Sequence, residues 1–177
     1  MENHFHTLAN QREQFFNEAN IAMELFWERP QVEKWSTGET LYHLYLMLRV
    51  FRCFSTGYIP LLKQAATLRR NKPFPITIHN IYKDYQHDKG RAMEAPFLIK
   101  PRMDIIGDYT VQELFLMLQK ETDLIRMLVR KLDENIAGNI YYYDPIAYHP
   151  NLIQSIHLLA IHEQHHFDLV KKYYGDE

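Results

Sequence analysis

Cysteine is almost missing from this chain of 177 residues, which contains Cys53 and no other thiol. One thiol excludes an internal disulfide, and neither a leader-like segment nor a long apolar run is present. A reducing, cytoplasmic setting is therefore expected, with no membrane embedding. A surplus of one charge is missing too. The net charge is −2 with 24% charged residues, and neither sign forms a long block, so the chain lacks the electrostatic footprint of a nucleic-acid binder. Period-two strand patterning is scarce. What is abundant is apolar matter, 46% hydrophobic and 14% aromatic, enough for a bulky core in one compact domain spanning residues 1–177.

Four stretches carry helical periodicity. In the first, Leu8, Phe15, Ala19, Ala22 and Phe26 recur at helical steps and Pro30 closes the run. The second opens on Ser36 with Glu39 three residues later, a capping box, and its apolar run covers residues 41–62, with a kink or break expected at Gly57 and Pro60. The third opens with the same device, Thr110 and Glu113. Its stripe of Val111, Leu114, Leu118, Ile125, Leu128 and Leu132 is expected to continue until Gly138 stops it. The fourth begins near Pro150 and runs to about Tyr174.

Between the second and third stretches, residues 71–107 carry Pro73, Pro75, Pro96 and Pro101 and no sustained period, apart from a short helix expected over residues 78–85. A connection this long usually serves a purpose, such as a pocket wall or a subunit contact. The architecture expected is all-α: an up-and-down four-helix bundle with a long crossover between helices 2 and 3.

Chemistry concentrates in the last stretch, at His162, Glu163, Gln164, His165 and His166. Residues four apart share a helix face roughly 6 Å apart, so His162 and His166 can offer two ring nitrogens to one divalent ion. Both continue the apolar stripe Leu152, Ser155, Leu159, His162, His166, Leu169 and Tyr173, which directs them inward. His43 lies inward in the same way on the stripe Thr40, His43, Met47, Val50 and Phe54. If the second helix runs opposite to the fourth, its beginning meets the end of the fourth and the three histidines converge.

A lone inward histidine is more often a hydrogen-bonded core residue than a ligand, but three clustered imidazoles leave nitrogens that one cation satisfies together. His165 is a rival to His166 as the partner of His162. His157 turns away. Cys53 sits about 15 Å along the helix from His43 and off its face, and is expected to be buried packing.

The run also spells the His-Glu-x-x-His pattern of zinc proteases, in which the glutamate is the general base. Asp168 projects from another face and Asp176 and Glu177 lie at the end of the chain, so a third ligand is expected upstream, at His43. Glu39, one turn before His43, and Glu163, beside His162, are the carboxylates that could orient a ligand or shuttle a proton. The first is explained by its cap, and the second points about 100° away from its neighbouring ligand.

The segment Trp35-Ser36-Thr37-Gly38-Glu39-Thr40-Leu41-Tyr42-His43-Leu44, taken with His162-Glu163-Gln164-His165-His166, resembles the DinB/YfiT-like superfamily of metal-binding four-helix bundles, and the resemblance covers essentially the whole chain. It implies the ligand set His43, His162 and His166, a homodimer and a cytoplasmic bacterial protein. It also implies thiol-dependent chemistry, since some members join bacillithiol or mycothiol to electrophiles and one isomerises maleylpyruvate. The function expected is divalent-metal binding, with zinc or nickel ahead of iron or copper. The open three-histidine site would activate a low-molecular-weight thiol or a water for S-transfer to, or hydrolysis of, a small-molecule substrate. A metal-binding stress or sensor protein without turnover is the alternative, and a protease of the His-Glu-x-x-His type a distant one.

Overall fold

The computed structural model describes residues 1–18, 24–78, 95–144 and 147–174. These form four long helices: α1 (Glu2–Glu18), α2 (Thr37–Leu68), α3 (Val111–Val129) and, after the single turn α4 (Glu134–Ala137), α5 (Leu152–Tyr174). Both anticipated capping boxes are made. Ser36 accepts from Glu39 N while Glu39 accepts from Ser36 N, and Thr110 and Glu113 repeat the exchange. The core is continuous across the bundle, with Leu8, Leu41, Leu44, Leu118, Ile125, Ile156 and Phe167 among its buried members.

Cross-helix pairs fix the directions. Arg12 meets Glu163, Phe15 stacks on Phe167 at 4.1 Å and Glu18 binds Lys171, so α1 and α5 run parallel. Tyr42 stacks on Tyr109 and Arg52 pairs with Glu121, so α2 and α3 also run parallel. His43 touches His162, whereas Ser55 bonds Tyr142 beside the start of α5, so α2 and α5 are antiparallel. The long crossover is what permits a parallel α2–α3 pair, because a tight turn would have forced them antiparallel. Its first part is pinned by buried amides: Asn151 donates to Pro75 O at 2.7 Å and Gln154 to Thr77 O at 2.7 Å. Its last part forms two 3₁₀ turns, Phe97–Ile99 and Met103–Ile105. Ala19, Ala22 and most of the short helix expected over residues 78–85 lie outside the described residues; Ile78 itself is not helical.

Several expectations are corrected. α2 does not break at Gly57 or Pro60 but continues to Leu68. Both residues are exposed, so the carbonyl that Pro60 leaves without a donor faces water, while buried Ile59 and Ala66 hold the helix to the core. α3 stops at Val129, well before Gly138, because Asp133 uses its carboxylate to cap a new turn at Asn135 N. α5 does start near Pro150, at Leu152, but its cap is Asn151, which exchanges bonds of 3.0 Å with Gln154 in an amide version of the capping box. Cys53 is exposed rather than buried. Val50 and Phe54 are exposed as well, because the core line of α2 runs through Leu41, Leu44, Leu48, Ser55, Ile59 and Ala66 and leaves those two on the outer side.

Candidate metal centre

His43 lies on the flank of α2's core line, one residue before Leu44, and His162 and His166 occupy the matching flank of α5 beside Glu163 and Phe167. Antiparallel packing brings these flanks together at one end of the bundle. His43 Nε2 is 3.2 Å from His162 Nε2, and His166 Nε2 is 3.2 Å from the same atom. One ligand atom from each of the three residues falls within 4.8 Å of the others, the arrangement needed to hold one cation among the described residues. His43 and His162 are buried and His166 is half-buried.

The rings are held from outside the two helices. His43 Nδ1 lies 2.7 Å from the Ile99 carbonyl oxygen. A carbonyl only accepts, so the proton is on Nδ1 and the Nε2 lone pair faces the cluster. The crossover, whose purpose sequence alone leaves open, thus supplies the acceptor that orients a candidate ligand. Trp35, just before the Ser36 cap, lies 4.9 Å from the His43 ring and near-parallel to His166 at 6.2 Å.

Burial lowers the pKa of all three imidazoles. For His43 burial outweighs the opposing bond to Ile99. His162 and His166 fall well below 6.5, first through burial and then through the neighbouring imidazoles. The cluster therefore resists protonation at neutral pH. It also suits a cation by its donor set, because His162 Nε2 faces two other Nε2 atoms and cannot donate to both, whereas an ion engages all three lone pairs.

The neighbouring candidates go elsewhere. Glu39 is held by its cap and by Arg29, whose Nε and Nη2 donate to its two oxygens at 2.8 and 2.5 Å. Glu163 turns to α1, where Arg12 donates to both its oxygens at 2.8 and 2.7 Å and Gln11 adds a bond of 3.0 Å. His165 has its ring 5.5 Å from that of His166. His157 faces α1 and stacks on His4 at 4.5 Å.

The sequence profile of the DinB superfamily matches residues 14–170. The chain belongs to the DinB superfamily. That match takes in the end of α1, from Gln14 on, all of α2 and α3, and α5 as far as Val170, so His43, His162 and His166 all fall within it. No curated protein and no solved structure matches the chain. Among the described residues no helix is long and apolar enough to cross a membrane, and the helical bundle agrees with the DinB-superfamily assignment.

Proposed function

We propose that this DinB-superfamily chain binds one divalent metal ion through His43, His162 and His166 and activates a thiol or a water there, acting as a thiol S-transferase or a small-substrate hydrolase in the cytoplasm. The observation that carries this reading is the convergence of three imidazole nitrogens within 4.8 Å. Three protein ligands leave coordination positions for a substrate, where a closed structural site would have four. A divalent ion there would lower the pKa of a water or thiol offered to it. His43, tied to Ile99 and backed by Trp35, would keep its lone pair aimed at the centre. The partly buried walls would keep bulk water back. Zinc and nickel suit three imidazoles, and a low-molecular-weight thiol is the co-substrate the reading implies.

A second reading, metal binding without turnover, is favoured by one observation: Arg29 and Arg12 bind both oxygens of Glu39 and Glu163, the carboxylates one turn before His43 and beside His162. The same ion pair turns Glu163 away from the role of base that a protease would need.

The chain is also read as a homodimer. On α2, Val50, Phe54, Leu61 and Leu68 form an exposed apolar line, with Phe54 at 56%, Leu61 at 75% and Leu68 at 90% exposure, and a Cβ added at Gly57 between them would meet only open space. Sedimentation at micromolar concentration should give twice the 21.3 kDa of one chain.

Elemental analysis of protein purified without added metal, followed by a screen of thiol and electrophile pairs, tests the function. One ion per chain with turnover of a thiol pair supports the enzyme, one ion with no turnover supports the second reading, and a chain that takes up no zinc or nickel on titration refutes both.

A further inference from the structure

Two of the three histidines share a neighbour that belongs to neither helix. Trp35 has its ring 4.9 Å from His43, tilted by 47°, and 6.2 Å from His166 at an interplanar angle of 16°. One indole therefore borders imidazoles from α2 and from α5. The segments flanking it are fastened independently of the cluster. Gly38 N donates to Phe26 O at 2.8 Å, Trp27 covers Gly38 so closely that an added Cβ would lie 2.6 Å from its ring, and Trp27 Nε1 donates to Tyr109 O at 3.1 Å. Arg29 is clamped to Glu39 in the same segment. The loop that carries Trp35 is thus fastened to the starts of α2 and α3 on both sides of it.

We propose that Trp35 is a positioning residue of the metal centre: its indole holds the His43 and His166 rings in the orientation that makes their Nε2 atoms converge. The inference rests on the metal-binding reading. An imidazole's χ2 is a broad torsion with a shallow preference, so a ring without a lateral neighbour samples orientations in which its nitrogen misses the ion. His43 is restrained at Nδ1 by Ile99, and the indole restrains its face as well as that of His166. Coordination would also spread positive charge into both rings, and the π face of an indole attracts such charge within about 6 Å. Bulk alone would supply the first effect, whereas an aromatic ring supplies both.

The test is isothermal titration of metal-free protein with zinc, run in parallel with cobalt(II) absorption spectra, on wild type, Trp35→Phe, Trp35→Leu and Trp35→Ala. Trp35→Ala should bind zinc about 10- to 100-fold more weakly, the usual loss when an outer partner of a ligand is removed. Its cobalt bands should broaden and shift, since the rings no longer present one geometry. Trp35→Phe should recover most of the affinity and the wild-type spectrum, and Trp35→Leu should recover less than Trp35→Phe. Unfolding midpoints of the metal-free variants separate a positioning role from mere support of the fold. Should Trp35→Ala prove unfolded, the Leu and Phe variants still decide. Wild-type affinity and an unchanged cobalt spectrum in Trp35→Leu overturn the inference while leaving metal binding intact. Failure of the wild type itself to bind zinc or cobalt strikes the underlying reading instead.

Discussion

His43 Nδ1 and the carbonyl oxygen of Ile99 lie 2.7 Å apart, although 56 residues separate them in the chain. The bond joins the first turns of α2 to the 3₁₀ turn Phe97–Ile99 near the end of the crossover. The orientation of a candidate ligand thus depends on a segment that contributes none of the three histidines. A cation at Nε2 would withdraw electron density from the ring and strengthen the Nδ1–H as a donor. Binding at the cluster and docking of the turn are then linked, and linkage is reciprocal.

The first prediction reads that linkage by hydrogen exchange. The Ile99 and Lys100 amides donate within the turn, to Pro96 O and Phe97 O. Adding zinc to metal-free protein should slow their exchange several-fold, and His43→Ala should abolish the effect. Equal exchange with and without zinc in the wild type, under conditions where zinc is bound, would show that the turn does not sense the centre.

The second prediction concerns the ligands and their pH range. His43→Ala, His162→Ala and His166→Ala should each cost more than the roughly 10- to 100-fold that loss of an outer partner costs, and His165→Ala and His157→Ala much less. Because all three imidazole pKa values lie below 6.5 in the folded chain, protons compete with the metal only below the ordinary imidazole range. Zinc stoichiometry should therefore hold between about pH 7.5 and about pH 6 and decline at lower pH. Loss of zinc in step with an unperturbed imidazole would mean that these buried rings are not the ones that hold it, and loss in His165→Ala with retention in His43→Ala would place the site within the last helix alone.

The legible part of this protein was its local chemistry. Ser36 with Glu39 and Thr110 with Glu113 announce helix starts because a capping box is written in four consecutive residues, and both are made. His162 and His166 share a face because the helix period places them there, whereas their meeting with His43 follows from antiparallel packing of α2 and α5. Less legible was anything decided by what lies opposite a residue. Cys53, Val50 and Phe54 look like core in a one-dimensional stripe, and are exposed because the core line of α2 runs through other residues. The parallel course of α2 and α3, the Ile99 acceptor and the partner of Glu163 all depend on contacts between distant segments, and no local pattern records these. The start of the last helix near Pro150 is legible too, and the short polar signal at Asn151 and Gln154 supplies its cap.

The third prediction separates Glu163 from the metal. Its ion pair with Arg12 is almost fully enclosed, with side-chain exposures of 2% and 1%. Glu163→Ala leaves a buried guanidinium without its anion and should cost about 3–5 kcal/mol in chemical denaturation, with one metal ion per chain retained. Arg12 Nη1 is buried without a hydrogen-bond partner among the described residues even in the native pair. Replacing both, as Arg12→Met with Glu163→Leu, should therefore recover most of that loss. Unchanged stability combined with lost metal in Glu163→Ala would instead tie this carboxylate to the centre.

The fourth prediction concerns acid stability at the α1–α5 contact, away from the cluster. His4 stacks on His157 at 4.5 Å with an interplanar angle of 13°, and burial, followed by the charge of His157, lowers the His4 pKa to about 4. The folded value is below the unfolded one, so between about pH 6.5 and about pH 4 the unfolded chain binds more protons than the folded chain. The contribution of His4 is thus complete above the unfolded value and is lost as pH falls toward the folded one. Metal-free protein should lose stability over this window, with His157, His165 and the three clustered imidazoles acting in the same direction. His4→Phe keeps a ring in the stack and removes one titration, so its urea midpoint should fall less steeply with acid than that of the wild type. Midpoints falling equally steeply in both proteins would mean that His4 charges in place without disturbing the α1–α5 contact.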